Sequence, residues 1–124
     1  MTTLYKKEDL RSEERVSVDL PVEITWYDSE GIMFSERTRI EDVTSVGCRF
    51  GIGVELHPGD FISINRLVPV NQEMVTADQV LLFEIMWSAR GGIRWSTGAR
   101  KLEGEKLAKV KILLANYSAK RSSK

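Results

Sequence analysis

Val16-Ser-Val-Asp-Leu-Pro-Val-Glu-Ile-Thr-Trp26 alternates apolar and polar side chains without a break. Val16, Val18, Leu20, Val22, Ile24 and Trp26 form one set; Ser17, Asp19, Pro21, Glu23 and Thr25 form the other. A period of two is the side-chain repeat of a strand, so this segment reads as a strand with one buried and one solvated face. Pro21 has no N–H for a sheet ladder, which places it at a sheet edge or beside a bulge.

Outward from that strand the chain continues in short β-like units. Asp28-Ser-Glu-Gly31 reads as a turn, and Ile32, Phe34, Thr38 and Ile40 as a weaker alternation on the returning strand. Asp42 to Gly47 reads as a tight loop and Cys48-Arg49-Phe50 as a short strand. His57-Pro-Gly-Asp60 is a strong turn signal, because Pro presets φ and Gly accepts positive φ; Phe61, Ile62 and Ile64 follow as a strand. Leu67 to Asp78 reads as a loop. Val80 to Trp87 reads as a buried strand, Arg90-Gly-Gly92 as a hairpin turn and Ile93 to Lys101 as the returning strand. Trp26 and Trp87 fall at apolar strand positions and are expected in the core; Trp95 is left open. Leu107, Val110, Leu113, Leu114 and Tyr117 then recur at three- and four-residue steps, the apolar stripe of a helix expected to cap an open end of a barrel. Short strands with turn signals about every 8–12 residues indicate an all-β barrel or sandwich, here with a C-terminal helix.

Composition narrows the function classes. The chain has 124 residues, the size of one domain, and its 18 basic and 18 acidic residues cancel. No overall positive field exists to hold a nucleic acid, and a nucleic-acid-binding barrel would need a basic groove with exposed aromatics. The only cysteine, Cys48, cannot form an intrachain disulfide and suits a reducing compartment. The first fifteen residues lack the apolar centre of a signal peptide, and Val80–Trp87 is far shorter than a membrane span, so a cytoplasmic protein without membrane contact is expected. Catalytic chemistry is sparse. His57 is the lone histidine and sits in a turn, no metal-ligand spacing occurs, and no nucleophile elbow or phosphate loop is present. The expectation is a non-enzyme without cofactor.

Two segments look like binding chemistry. Arg11-Ser-Glu-Glu-Arg15 sets two guanidinium forks just ahead of the first strand, able to grip phosphates and the O6/N7 edge of guanine. Arg90 and Arg94 repeat the same spacing, and on this pattern alone a solvated pre-strand arm is the better reading. Asp42-Val-Thr-Ser-Val-Gly47 offers a carboxylate, two hydroxyls and a permissive glycine, which can present acceptors to a guanine edge or simply form a Ser/Thr turn.

The order of these features, from about Leu10 to Tyr117, resembles the PilZ domain family: Arg-x-x-x-Arg, an alternating strand, Asp-x-Thr-x-x-Gly entering a strand, a Pro-Gly turn, a late strand pair and a terminal helix. Thr44 stands where that family usually has Ser; it keeps the hydroxyl and adds a stiffening methyl, and Ser45 follows as a possible substitute. The resemblance implies a six-stranded antiparallel PilZ-type β-barrel. Residues 1–15 would be a flexible arm, 16–119 the barrel with a helix over about 104–119, and 120–124 a disordered tail. It also implies a bacterial receptor for cyclic di-GMP, contacted by Arg11, Arg15, Asp42, Thr44, Ser45 and Gly47. Ordering of the arm would pass the signal to a downstream protein, in a process such as motility or biofilm formation, from a monomer or homodimer. The alternative is a degenerate PilZ domain that binds no nucleotide and acts as a protein adaptor.

Overall fold

The computed structural model describes residues 14–122, with side chains for 14–117. Arg11, most of the expected arm and the end of the expected tail lie outside the described residues. Six strands are followed by one helix: β1 (Val16–Tyr27), β2 (Met33–Val43), β3 (Gly47–Ile52), β4 (Phe61–Val70), β5 (Glu73–Gly91), β6 (Arg94–Lys101) and α1 (Gly104–Ser122). All pairings are antiparallel, in the order β1-β2-β3-β6-β5-β4, and β4 returns to β1, so the single sheet closes on itself.

The alternation in β1 sets the inside. Val22 and Ile24 are fully buried, with Val18, Leu20 and Trp26 packed against the core. Ile40, Phe50, Ile52, Ile62, Ile64, Phe83, Ile85 and Ala99, with Leu56 from the connection between β3 and β4, complete it, so every strand contributes inward side chains. Burying a side chain of this size contributes about 1.5–3 kcal/mol, and this interior is the main source of stability. β1 has neighbours on both sides from Val22 to Trp26, but Pro21 pairs only with Arg39 of β2 and so sits at a local edge. It follows a register shift between Ser17 and Leu20 and precedes Val22, where pairing with β4 begins, so its missing N–H leaves that ladder intact.

Several boundaries differ from the sequence reading. Leu67–Asp78 is not a loop: β4 runs on to Val70, turns at Asn71-Gln72 and returns as β5, with Val70 opposite Glu73 and Leu67 opposite Thr76. Asn71 and Gln72 have φ of 52° and 70°, the left-handed pair of a type I′ hairpin turn, which matches the twist of the flanking strands. Gln72 hides this turn, since the expected partner after Asn is Gly. The later hairpin turns at Gly92-Ile93 rather than Arg90–Gly92; Gly91 pairs with Arg94, and Ile93 is exposed at the tip instead of starting the strand.

The helix extends to Ser122, past the expected end near 119. Its stripe is only half-buried at Leu107, Val110, Leu114 and Tyr117, and Leu113 is exposed. It touches the sheet through Tyr117, which stacks on Tyr27 with ring centroids 5.0 Å apart and lies against Gly31, and through Lys106 Nζ, 3.0 Å from Glu84 Oε1. No helix among the described residues is long and apolar enough to cross a membrane.

Candidate functional site: an arginine-lined cleft

The loop between β2 and β3 is built by Thr44. Its Oγ1 accepts hydrogen bonds from the backbone N–H groups of Val46 (3.2 Å) and Gly47 (3.1 Å), while its own N–H donates to the Gly47 carbonyl (2.9 Å). This is the Ser/Thr turn that the sequence allowed as the plain reading. The oxygen therefore serves the loop, and the hydroxyl proton is what Thr44 has left to offer outward. Gly47 is needed for packing: a Cβ there would collide with the Ala99 carbonyl oxygen of β6. Lys101 N–H ties the loop down by donating to the Val46 carbonyl (2.7 Å).

Asp42 owes its direction to an irregularity. Ile40 pairs with Phe50 and points inward; regular alternation would send Asp42 inward too. The register shifts at this point, and Asp42 instead pairs with Arg49. Only 9% of Asp42 is exposed, and Arg49 neutralises it, with Nε and Nη2 each 2.8 Å from Oδ2. A carboxylate this buried requires such a partner. Arg49 Nη1 also reaches Glu41 Oε1 at 2.8 Å.

Trp87 is re-aimed in the same way. Ile85 pairs with Ala99 inside the sheet. Across a register shift at Met86, Trp87 pairs with Gly98 on the outer face. Trp87 is therefore 41% exposed, not in the core as its apolar spacing implied. Its indole lies over Gly98 so closely that a Cβ there would collide with it. A bulge that turns a side chain to the other face leaves no trace in a period-two pattern. Trp26 and Trp95 do pack against the core, and Arg90 lies over the Trp95 ring at 5.8 Å from its centroid.

Together these residues form a cleft of about 230 Å³, lined by Arg15, Asp42, Thr44, Gly47, Arg49, Trp87 and Arg100, with Val46, Cys48, Met86, Gly98 and Ala99. Four of the six residues singled out from the sequence thus meet in one place: Arg15, Asp42, Thr44 and Gly47. Ser45 does not line this cleft; it lines a second cavity behind the loop. Arg11 lies outside the described residues. Arg49, Trp87 and Arg100 were missed. Arg49 and Arg100 alternate with inward residues on their strands, an available but unspecific signal. Among the described residues neither Arg15 nor Arg100 has an ion-pair partner.

Cys48 also borders the cleft. Burial, and then the Asp42 charge, push its thiol up to about 12, so it stays protonated and is a poor nucleophile at neutral pH. The cleft wall thus combines guanidinium forks, one neutralised carboxylate, a hydroxyl and a flat aromatic face. In comparisons with known proteins, no family model and no curated protein matches the chain.

Proposed function

We propose that this chain is a PilZ-type barrel that binds cyclic di-GMP in the arginine-lined cleft, without catalysis and without a cofactor. The observation that carries the reading is the convergence of Arg15, Asp42, Thr44 and Gly47, from two separate segments, on one cleft. Three guanidiniums line it; Arg49 is held by Asp42 and Glu41, which leaves Arg15 and Arg100 as two positive charges suited to a dianionic ligand. Arg15 and Arg100, which have no ion-pair partner among the described residues, take the phosphodiesters. The exposed Trp87 face stacks on a guanine, and the Thr44 hydroxyl donates to a base acceptor. Arg11, four residues before Arg15, joins from the arm. Ordering of the arm against the barrel creates the surface that a downstream protein reads, as expected of a bacterial second-messenger receptor in the cytoplasm.

A second reading has its own support. Asp42 is already neutralised by Arg49, and the Thr44 oxygen is occupied by its own loop, which leaves fewer free acceptors for a guanine edge. That arrangement favours a PilZ-type adaptor that binds protein instead of nucleotide. Calorimetric titration of the full chain with cyclic di-GMP separates the two. Saturable binding that disappears in an Arg11→Ala/Arg15→Ala variant supports the receptor. A flat trace from folded protein rejects it in favour of the adaptor.

A further inference from the structure

Behind the Thr44–Gly47 loop the closed sheet opens into a second cavity of about 260 Å³. Its walls are aliphatic and aromatic, with Leu20, Val22, Ile40, Ile64 and Phe83 among them. The rest of the interior cannot extend it, because Ile24, Phe50, Ile52, Ile62 and Ile85 are fully buried and fill the centre of the sheet. The cavity is thus an apolar socket with one end closed.

Two cations stand on its wall. Arg66 pairs with Val22 and Lys101 with Phe83, and both partners are buried. Cross-strand partners share a face, so Arg66 and Lys101 project from the inward face of their strands, at the rung where the interior reaches solvent. Among the described residues neither has an ion-pair partner. An apolar socket with unpaired cations at its rim complements a molecule with a hydrocarbon tail and an anionic head. The lining of the socket offers a sugar or a base few polar side chains; its hydroxyls, those of Thr44 and Ser45, are on the loop. A neutral hydrocarbon would leave both cations unused.

We propose that this cavity binds a medium-chain fatty acid, its chain in the socket and its carboxylate held by Arg66 and Lys101. The closed floor limits the chain length. The socket shares Thr44, Val46, Gly47 and Cys48 with the arginine-lined cleft as a common wall, but Arg66, Lys101 and the apolar floor belong to the socket, and the proposal does not depend on the reading given to the cleft.

Calorimetric titration with octanoate, decanoate and dodecanoate, each below micelle formation, tests this on the full chain. Affinity should rise about fourfold for each methylene buried and level off once the socket is full. Decylammonium, with the same tail and the opposite head charge, should bind about tenfold or more weakly than decanoate, and Arg66→Glu should weaken decanoate by a similar factor. Arg66 is exposed, so this variant is expected to fold. Leu81→Trp, which adds bulk to the lining at a partly exposed position, should block binding while circular dichroism stays unchanged. No saturable binding by folded protein overturns the proposal. So does affinity independent of chain length, or equal binding of decylammonium.

Discussion

The Trp87 indole rests on the backbone of Gly98, in space that any side chain at position 98 would occupy. The pair belongs to adjacent strands, and the register shift at Met86 is what brings Trp87 to the outer face. Gly98→Ala should therefore displace the indole. The expected cost is about 1–3 kcal/mol, as for other insertions into close-packed contacts. Urea unfolding followed by far-UV circular dichroism measures it, and acrylamide quenching should show a more accessible tryptophan. Unchanged stability and quenching would mean that the ring does not hold this position.

Arg49 and Asp42 form the ion pair at the base of the cleft. Removing the cation alone, in Arg49→Met, strands a carboxylate of which little is exposed. The expected loss is about 1–3 kcal/mol, below the range of a fully buried pair because Arg49 is one-third exposed. Asp42→Asn in the Arg49→Met background should recover part of that loss. A double-mutant cycle by chemical denaturation gives the coupling directly; additive single effects would contradict the pairing.

Cys48 yields a pH prediction. Its thiol is raised from 9.0 to about 12, first by burial and then by Asp42. The folded state holds the proton more tightly than the unfolded chain. The stability this contributes is complete below the unfolded value near 9 and is lost as pH rises toward 12. Iodoacetamide should modify folded protein slowly at pH 8, and unfolded protein in urea at the rate of an ordinary thiol. Equal rates would contradict the burial.

Gln72 holds a φ of 70° in the two-residue turn between β4 and β5. A non-glycine residue in that region costs about 1–2 kcal/mol, partly offset by the greater unfolded-state entropy of glycine. Gln72→Gly should raise stability by about 0.5–1 kcal/mol, read as a higher urea midpoint with unchanged slope.

What the sequence made legible follows from which rules stayed local. The alternation from Val16 to Trp26 fixed the inward face of β1, because side-chain direction there depends only on parity. Asp42, Thr44 and Gly47 could be marked because a loop of this kind carries its chemistry in consecutive residues. Trp87 was misread because Met86 adds one residue to β5 against β6, and parity fails across a bulge. The hairpin at Asn71-Gln72 was missed because its turn uses Gln where Gly is the usual signal. Arg49 and Arg100 could not be singled out from sequence, since their meeting with Arg15 depends on the pairing of β3 with β6.

Cyclic di-GMP is proposed to bind in the cleft formed by Arg15, Asp42, Thr44, Arg49, Trp87 and Arg100. The most direct test is to follow backbone amide and indole N–H chemical shifts by NMR while cyclic di-GMP is added. Saturable shifts are expected at Thr44 to Gly47, at Gly98 and at the Trp87 indole, with the Leu67–Asp78 hairpin unmoved. A spectrum that does not change, or one whose changes fall on the hairpin and spare the cleft, would contradict it.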